Sequence, residues 1–363
     1  MFQFSQFSTV LVTTNLDGNT GEVNSTGFTT VNTKEIEFKK DSLNIAQAVV
    51  ESFIESSNLL DTETFADKLS NFSVPEGHFN ITTYFTTSAQ GPHIQILWNS
   101  LLANYLDTSF DGYSELNIFR TARTVPVFGI IIISDGITYV LDNCRVQTGS
   151  LQAPGNDLMT VAWSGTFTSI RVLGKSTLVE DSVFAETYTL SGALTGRVHD
   201  DKLSNYTLCM PRLAKVGIAP SGASSPDGYI AFTDFSFDIT NELLFIENNG
   251  IDRTDLKQIF VGSRKFDITG TATAYTRSAG YVHTLVKSIL EARNPDPSLV
   301  NYRQLYKIFI YLKKTDGSSL ADIIIDGLSI TASTNIGQIY SNSFAFKLSE
   351  TTNSITSAIK FYH

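Results

Sequence analysis

Residues 127–146 read VFGIIIISDGITYVLDNCRV, and residues 306–330 read YKIFIYLKKTDGSSLADIIIDGLSI. Each begins with apolar residues, reaches an Asp-Gly pair (Asp135-Gly136 and Asp316-Gly317) and returns through a second β-rich run. An Asp-Gly pair supplies the positive φ angles of a tight hairpin turn, so each stretch predicts two antiparallel strands. Val127 to Ile133 is a nearly unbroken apolar run, whereas Ile308, Ile310 and Leu312 share one side of an alternating one. The returning strands carry Leu141-Asp142-Asn143-Cys144-Arg145-Val146 and Ile325-Asp326-Gly327-Leu328-Ser329-Ile330.

Working outward, the two hairpins have the same antecedents. Phe79, Ile81, Thr83 and Phe85 alternate along one strand, and Phe266, Ile268, Gly270 and Ala272 along another. Each is followed by a Ser-Ala pair, Ser88-Ala89 and Ser278-Ala279, and then by a segment of helical period. Ile94, Leu97, Trp98, Leu101 and Tyr105 line one helix face; Val282, Leu285, Val286, Ile289 and Leu290 line the other. In the second copy Asn294-Pro295 bars continuation of the helix. Phe266 lies 187 residues after Phe79, Ser278 lies 190 after Ser88, Asp316 lies 181 after Asp135, and Asp326 lies 184 after Asp142. Offsets this even point to an internal repeat.

Further strands are expected at Ile36 to Phe38 and Phe232 to Ile239 near the start of each copy. Others are expected at its end, Leu158 to Ile170 in the first and Ser343 to Leu348 or Ile355 to Tyr362 in the second. Between the early strands of the first copy, Ile45, Val49, Phe53 and Ile54 suggest an amphipathic helix, an insertion near residues 45–70. The fold class is mainly β (α+β): two tandem domains, residues 1–185 and 186–363, each with one flanking helix, the boundary falling between Gly174 and Asn205. A chain of 363 residues is long for one core and comfortable for two.

Composition excludes several functions. Charged residues make up 17% of the chain, below the usual ~25%, while 25 Phe and 14 Tyr favour strands. The net charge is −10 and Lys and Arg form no run, which argues against gripping a phosphate backbone. No basic-then-apolar leader and no run of about 18 apolar residues is present, so a soluble product made without a signal peptide, and no membrane partner, are expected. On that expectation the sequons at Asn24 and Asn205 carry no glycan. Cys144 and Cys209 have no second thiol or histidine at metal spacing and read as free thiols.

No catalytic, cofactor-binding or metal residue stands out. His78, His93, His199, His283 and His363 pair with no Cys, Asp or Glu at ligand spacing, and His199-Asp200-Asp201 reads as a solvated loop. His93 and His283 fall at similar places near the helix starts, which residual homology or a surface position near a helix terminus explains. Asp17-Gly18-Asn19 and Asp227-Gly228 are turns, lacking the alternating acids of a calcium loop. A nucleophile elbow, a phosphate-cradling glycine loop and an H-E-x-x-H helix are all missing. Trp98 and Trp163 fall on a helix face and within a strand, where core packing is the expected role.

The order strand, strand, helix, strand, Asp-Gly hairpin, strand and final strand, taken twice, resembles the tail tube proteins of long-tailed bacteriophages. The likeness is most specific at Val127 to Ile170. There the hairpin through Arg145-Val146, the loop Ser150-Leu151-Gln152-Ala153-Pro154-Gly155-Asn156-Asp157 and the strand Leu158-Met159-Thr160-Val161 look like that family's last hairpin, loop and closing strand. The second copy departs from it, with Asn335-Ile336-Gly337 in place of the Gly-Asn-Asp loop. The resemblance implies β-sandwich or barrel-type tube domains, no enzymatic activity and no cofactor. It implies homotrimeric rings of pseudo-sixfold symmetry, stacked head to tail around a channel through which genomic DNA passes without tight binding. It further implies other tail proteins as partners, such as the tape measure, terminator and baseplate hub, with assembly in the host bacterial cytoplasm and residence in the virion tail. The alternatives are a baseplate hub or tube initiator, or a β-sandwich module binding carbohydrate or a receptor.

Overall fold

The computed structural model describes residues 9–24, 27–28, 32–36, 38–39, 41–47, 50–54, 69–73, 77–88, 95–103, 115–117, 125–134, 137–153, 157–173, 206–209, 214–226, 228–230, 232–247, 259–275, 280–291, 304–314, 317–336, 340–349 and 358–361. The first half contributes β1 (Thr9–Thr13), β2 (Thr33–Ile36), β3 (Asn44–Ala46), β4 (Val50–Ile54), β5 (Leu69–Ser73), β6 (Gly77–Tyr84), β7 (Thr86–Ser88), α1 (Gln95–Leu102), β8 (Glu115–Asn117), β9 (Phe128–Ser134), β10 (Ile137–Ala153), β11 (Thr160–Phe167) and β12 (Ser169–Leu173). The second contributes β13 (Tyr206–Leu208), β14 (Lys215–Pro220), β15 (Phe232–Glu247), β16 (Ile259–Tyr275), α2 (Tyr281–Glu291), β17 (Tyr306–Lys313), β18 (Ser319–Ile336), β19 (Tyr340–Leu348) and β20 (Ala358–Phe361).

The fold is mainly β and antiparallel. In the first half neighbouring strands run β9, β10, β11, β6, β3, with β1 beside β9. In the second they run β17, β18, β19, β16, β15, with β14 beside β17. β12 lies along the start of β10 and β20 along the start of β18. The two rows meet where β10 pairs with β15, so that 16 strands form one sheet. β8 of the first half also pairs with β20 of the second.

Alternation in the sequence becomes alternation of burial. β6 buries Gly77, Phe79, Ile81 and Thr83, and β16 buries Phe266, Ile268, Gly270 and Ala272, while their intervening residues face outward. Both hairpins form: Ser134 pairs with Ile137, and Lys313 with Ser319. Gly317 takes φ +84°, the left-handed conformation that calls for glycine in the second turn. On the buried face Trp98 of α1 meets Trp163 edge to face, centroids 4.8 Å apart, and Trp163 donates its indole N–H to Thr83 Oγ1 at 2.9 Å. Both tryptophans are core residues, as their positions in the sequence suggested.

Two expectations are corrected. The insertion near residues 45–70 is not a helix where it is described: β3 pairs with β6, bringing Ile45 opposite Phe79, and β4 pairs with β5, bringing Phe53 opposite Ser70. β4 and β5 form a separate two-stranded sheet. Residues spaced four apart fit the two-residue period of a strand as well as one turn of a helix, so the spacing of Ile45, Val49 and Phe53 in the sequence suits both. Residues 55–68 lie outside the described residues. The second correction concerns Leu290, which is exposed. Successive helical residues point about 100° apart, so Ile289 takes the sheet-facing position and Leu290 does not. Leu97, Trp98 and Leu101 of α1 and Leu285, Val286 and Ile289 of α2 are buried as expected. Ile94, Tyr105, Ala89, Ser278-Ala279, Asn294-Pro295, Asp135-Gly136 and the boundary region 174–205 lie outside the described residues.

Candidate functional site

The groups most apt for chemistry are held in structural roles. Cys144 and Cys209 are buried free thiols; burial pushes Cys209 up to about 12 and Cys144 well above its ordinary value, the Asp142 charge adding to the latter. Neither is a ready thiolate nucleophile. His78 and His283 are exposed, while His93, His199-Asp200-Asp201 and His363 lie outside the described residues. Among the described residues no three His, Cys, Asp or Glu side chains converge as metal ligands, and no helix is long and apolar enough to cross a membrane.

Asp142 and Asp326 are buried, and the sequence offset had paired them. Each precedes a residue in the left-handed region, Asn143 at φ +57° and Gly327 at φ +78°. Each also sits at a register shift against the preceding strand, after which Cys144 pairs with Phe128 and Leu328 with Tyr306. Such a bulge turns the carboxylate off the ladder toward a neighbouring loop. Asp142 accepts the Val23 backbone N–H at 2.8 Å, the Ser169 hydroxyl at 3.0 Å and two guanidinium N–H groups of Arg171 at 2.9 and 2.7 Å. Asp326 accepts the Ser221 hydroxyl at 2.6 Å and the Gly222 N–H at 3.4 Å, with Lys307 Nζ at 3.8 Å. The two carboxylates are thus loop anchors.

The seam between the halves is the most elaborated feature. Six residues of β10, Thr148 to Ala153, pair antiparallel with Thr240 to Phe235 of β15. On the buried side Leu151 faces Phe237; on the other side the Ser150 hydroxyl donates to Asp238. α1 lies over the seam. Asn241 Nδ2 donates to the Leu101 carbonyl at 2.6 Å and Arg264 Nε donates to Asn241 Oδ1 at 2.6 Å, tying the helix end to β15 and β16. Ala103, Val125 and Leu243 close an apolar cluster beside it. Gly149 permits this approach, because a Cβ there would stand 2.5 Å from Leu101 Cδ2. Sequence reading missed the seam entirely; its only local trace is the length of β10, of which β9, β11, β12 and β15 each cover only a part.

The face of the sheet opposite the core is rich in hydroxyls across the seam, including Ser150, Ser236, Thr271 and Ser343. It carries Asp234, Asp238, Glu242 and Asp267 on β15 and β16, with Lys265 and Lys347 as the cations of β16 and β19. This arrangement is structurally continuous, suited to forming a surface that other strands extend. Comparison with known protein families and with curated proteins finds no family model and no curated protein that matches the chain.

Proposed function

We propose that this chain is a self-assembling structural protein of the tail-tube type, a duplicated tube domain whose copies ring a channel for DNA. The observation that carries the reading is the seam: two halves with the same strand order are already joined edge to edge, β10 to β15, as neighbours in a ring would be. Three such chains supply six domain places, and rings stacked head to tail make a filament because that contact does not close on itself. In this reading the channel lining is the hydroxyl-rich face with its Asp234, Asp238 and Asp267 carboxylates, whose charge keeps a phosphate backbone from binding during passage. Baseplate hub and carbohydrate-binding roles receive no particular support from the site, since Trp98 and Trp163 are both buried in the core.

Negative-stain electron microscopy of the purified protein tests the reading. Rings or open tubes with a central channel are expected; monodisperse monomers at high concentration, together with sugar binding, overturn it. A second measurement addresses the lining. Asp234→Lys with Asp267→Lys leaves assembly intact and confers salt-sensitive DNA retention on the tubes; absence of retention argues against that face as the lining.

A further inference from the structure

The seam inside the chain has an unfilled counterpart at the end of the second half. The bulges at Asp142 and Asp326 align β10 with β18, so Val146 corresponds to Ile330; these pair with Gly165 and Phe346, which pair in turn with Phe79 and Gly270, so the structural counterpart of Phe79 is Gly270, four residues past the Phe266 that the sequence offset matches to it. Phe79 then pairs with Ile45 and Gly270 with Phe237, so β3 is the counterpart of the middle of β15. The bridge between Phe38 and Thr83 supports the match, since its counterpart is the pairing of Phe232 with Ala274, a phenylalanine in each case. One extra residue in β10, at the shift between Val146 and Thr148, places Ser150 opposite Ser333 in the alignment and Ala153 opposite Ile336. Burial agrees with this, Gly149 and Ala332 both facing the core.

Where β10 has β15, the corresponding edge of β18 from Thr331 to Ile336 pairs with no strand among the described residues, and β3 is likewise terminal in its row. Two of the five large hydrophobic side chains exposed among the described residues, Ile336 and Leu290, belong to this joint. Ile336 is 73% exposed where Ala153 is 2% exposed, and Leu290 is 45% exposed where Leu102 of α1 is 0% exposed. Thr284 and Ser288 of α2 are exposed where Ile96 and Ser100 of α1 are buried. An open edge flanked by bare apolar groups is a template for added strands.

We infer that the edge of β18 from Ala332 to Ile336, flanked by α2, receives β3 of a second copy of this chain, in antiparallel register with Ser333 opposite Ala46, Thr334 opposite Ile45 and Asn335 opposite Asn44. The occupant is set by the seam itself: the strand that fills this place inside the chain is β15, and β3 is its counterpart with an edge to offer. The inference rests on the ring-forming reading and names the surfaces that such a ring would join.

Site-directed oxidation tests the register. Ser333→Cys combined with Ala46→Cys places two thiols where Ser150 and Asp238 are hydrogen-bonded in the internal seam, and directly opposed residues on one face come within disulfide reach. Copper-phenanthroline oxidation of the assembled double variant is expected to give linked multimers of full-length chains. The yield should exceed that of either single variant, and of Ser333→Cys with Gln47→Cys, by on the order of tenfold, because the register fixes the effective concentration of the pair. Rings or tubes in the micrograph without this cross-link overturn the inferred joint and leave the proposed function standing; monomers without rings overturn both. Hydrogen exchange on the unmodified chain provides the independent measurement. Assembly should protect both the Ala332–Ile336 and the Leu43–Gln47 amides, and protection confined to other segments overturns the joint.

Discussion

Asp142 and Asp326 occupy the same bulge in the two halves and are satisfied in different ways. The first is almost enclosed and takes a bidentate Arg171 from β12 together with the backbone of the 17–23 loop. The second holds a turn through Ser221 and Gly222, with Lys307 of β17 at 3.8 Å as a looser counter-charge. What is common is a carboxylate aimed off the ladder at a loop; what varies is the strand that delivers the cation. A fold that needs a loop fastened at that point can keep the acid and exchange its partner, and the geometry of the guanidinium fork makes the first anchor the stronger one.

Removing each acid breaks the comparison most directly. Asp142→Ala should cost about 3 kcal/mol, at the low end for a buried pair because the Arg171 side chain is 33% exposed. Asp326→Ala should cost about 2 kcal/mol, chiefly the lost hydrogen bonds to the turn. Denaturant titration that ranks them in the opposite order would show that the Arg171 fork adds nothing beyond a single counter-charge.

The backbone supplies a finer test. Gly327→Ala forces a Cβ into φ +78° and should cost about 1–2 kcal/mol, while Gly327→Asn, copying the first half, should cost only a few tenths. Equal losses from both substitutions would mean that the two bulges are not equivalent in conformation.

Alkali should separate the halves by the smallest amount. Cys144 stands where the second half has Leu328, and its folded thiol is raised above the ordinary value, as is that of Cys209, which reaches about 12. A raised acid is favoured neutral in the native state, so its contribution is complete below the thiol's unfolded value near 9 and declines as pH climbs toward the folded one. The free energy of unfolding should therefore fall above about pH 9, by up to roughly 1.4 kcal/mol per pH unit for each ionising thiol, as denaturant titration across that range reads. Cys209→Ala should flatten part of that slope between pH 9 and about 12. An unchanged slope would locate the alkaline loss elsewhere.

Local pattern made the strands legible and left their partners hidden. The alternation at Phe79 to Phe85 and at Phe266 to Ala272, the two hairpins and the offset pairing Asp142 with Asp326 all appear in the structure as read, while Asp135-Gly136 and Asp316 lie outside the described residues. The seam was not readable, because Ser150 and Asp238 are 88 residues apart and nothing in either segment names the other. β3 and β4 were misread because Ile45, Val49 and Phe53 are spaced four apart, which fits alternation along a strand as well as a helical turn. The loop-anchoring role of the two acids was likewise out of reach, since a bulge is a property of paired strands and not of one strand alone.

That separation in sequence sets a clock for the nascent chain. β10 leaves the ribosome before β15 exists, and the 88 residues from Ser150 to Asp238 take about 4–18 s to synthesise at roughly 5–20 residues per second. For that interval the edge of β10 stands uncovered, and on a crowded polysome a neighbouring chain's β15 can reach it first. Swapped dimers, linked through β15 of one chain on β10 of another, are therefore the expected error product of fast expression. Slower synthesis should reduce them in size-exclusion profiles, and a dimer fraction indifferent to expression rate would place the error after release.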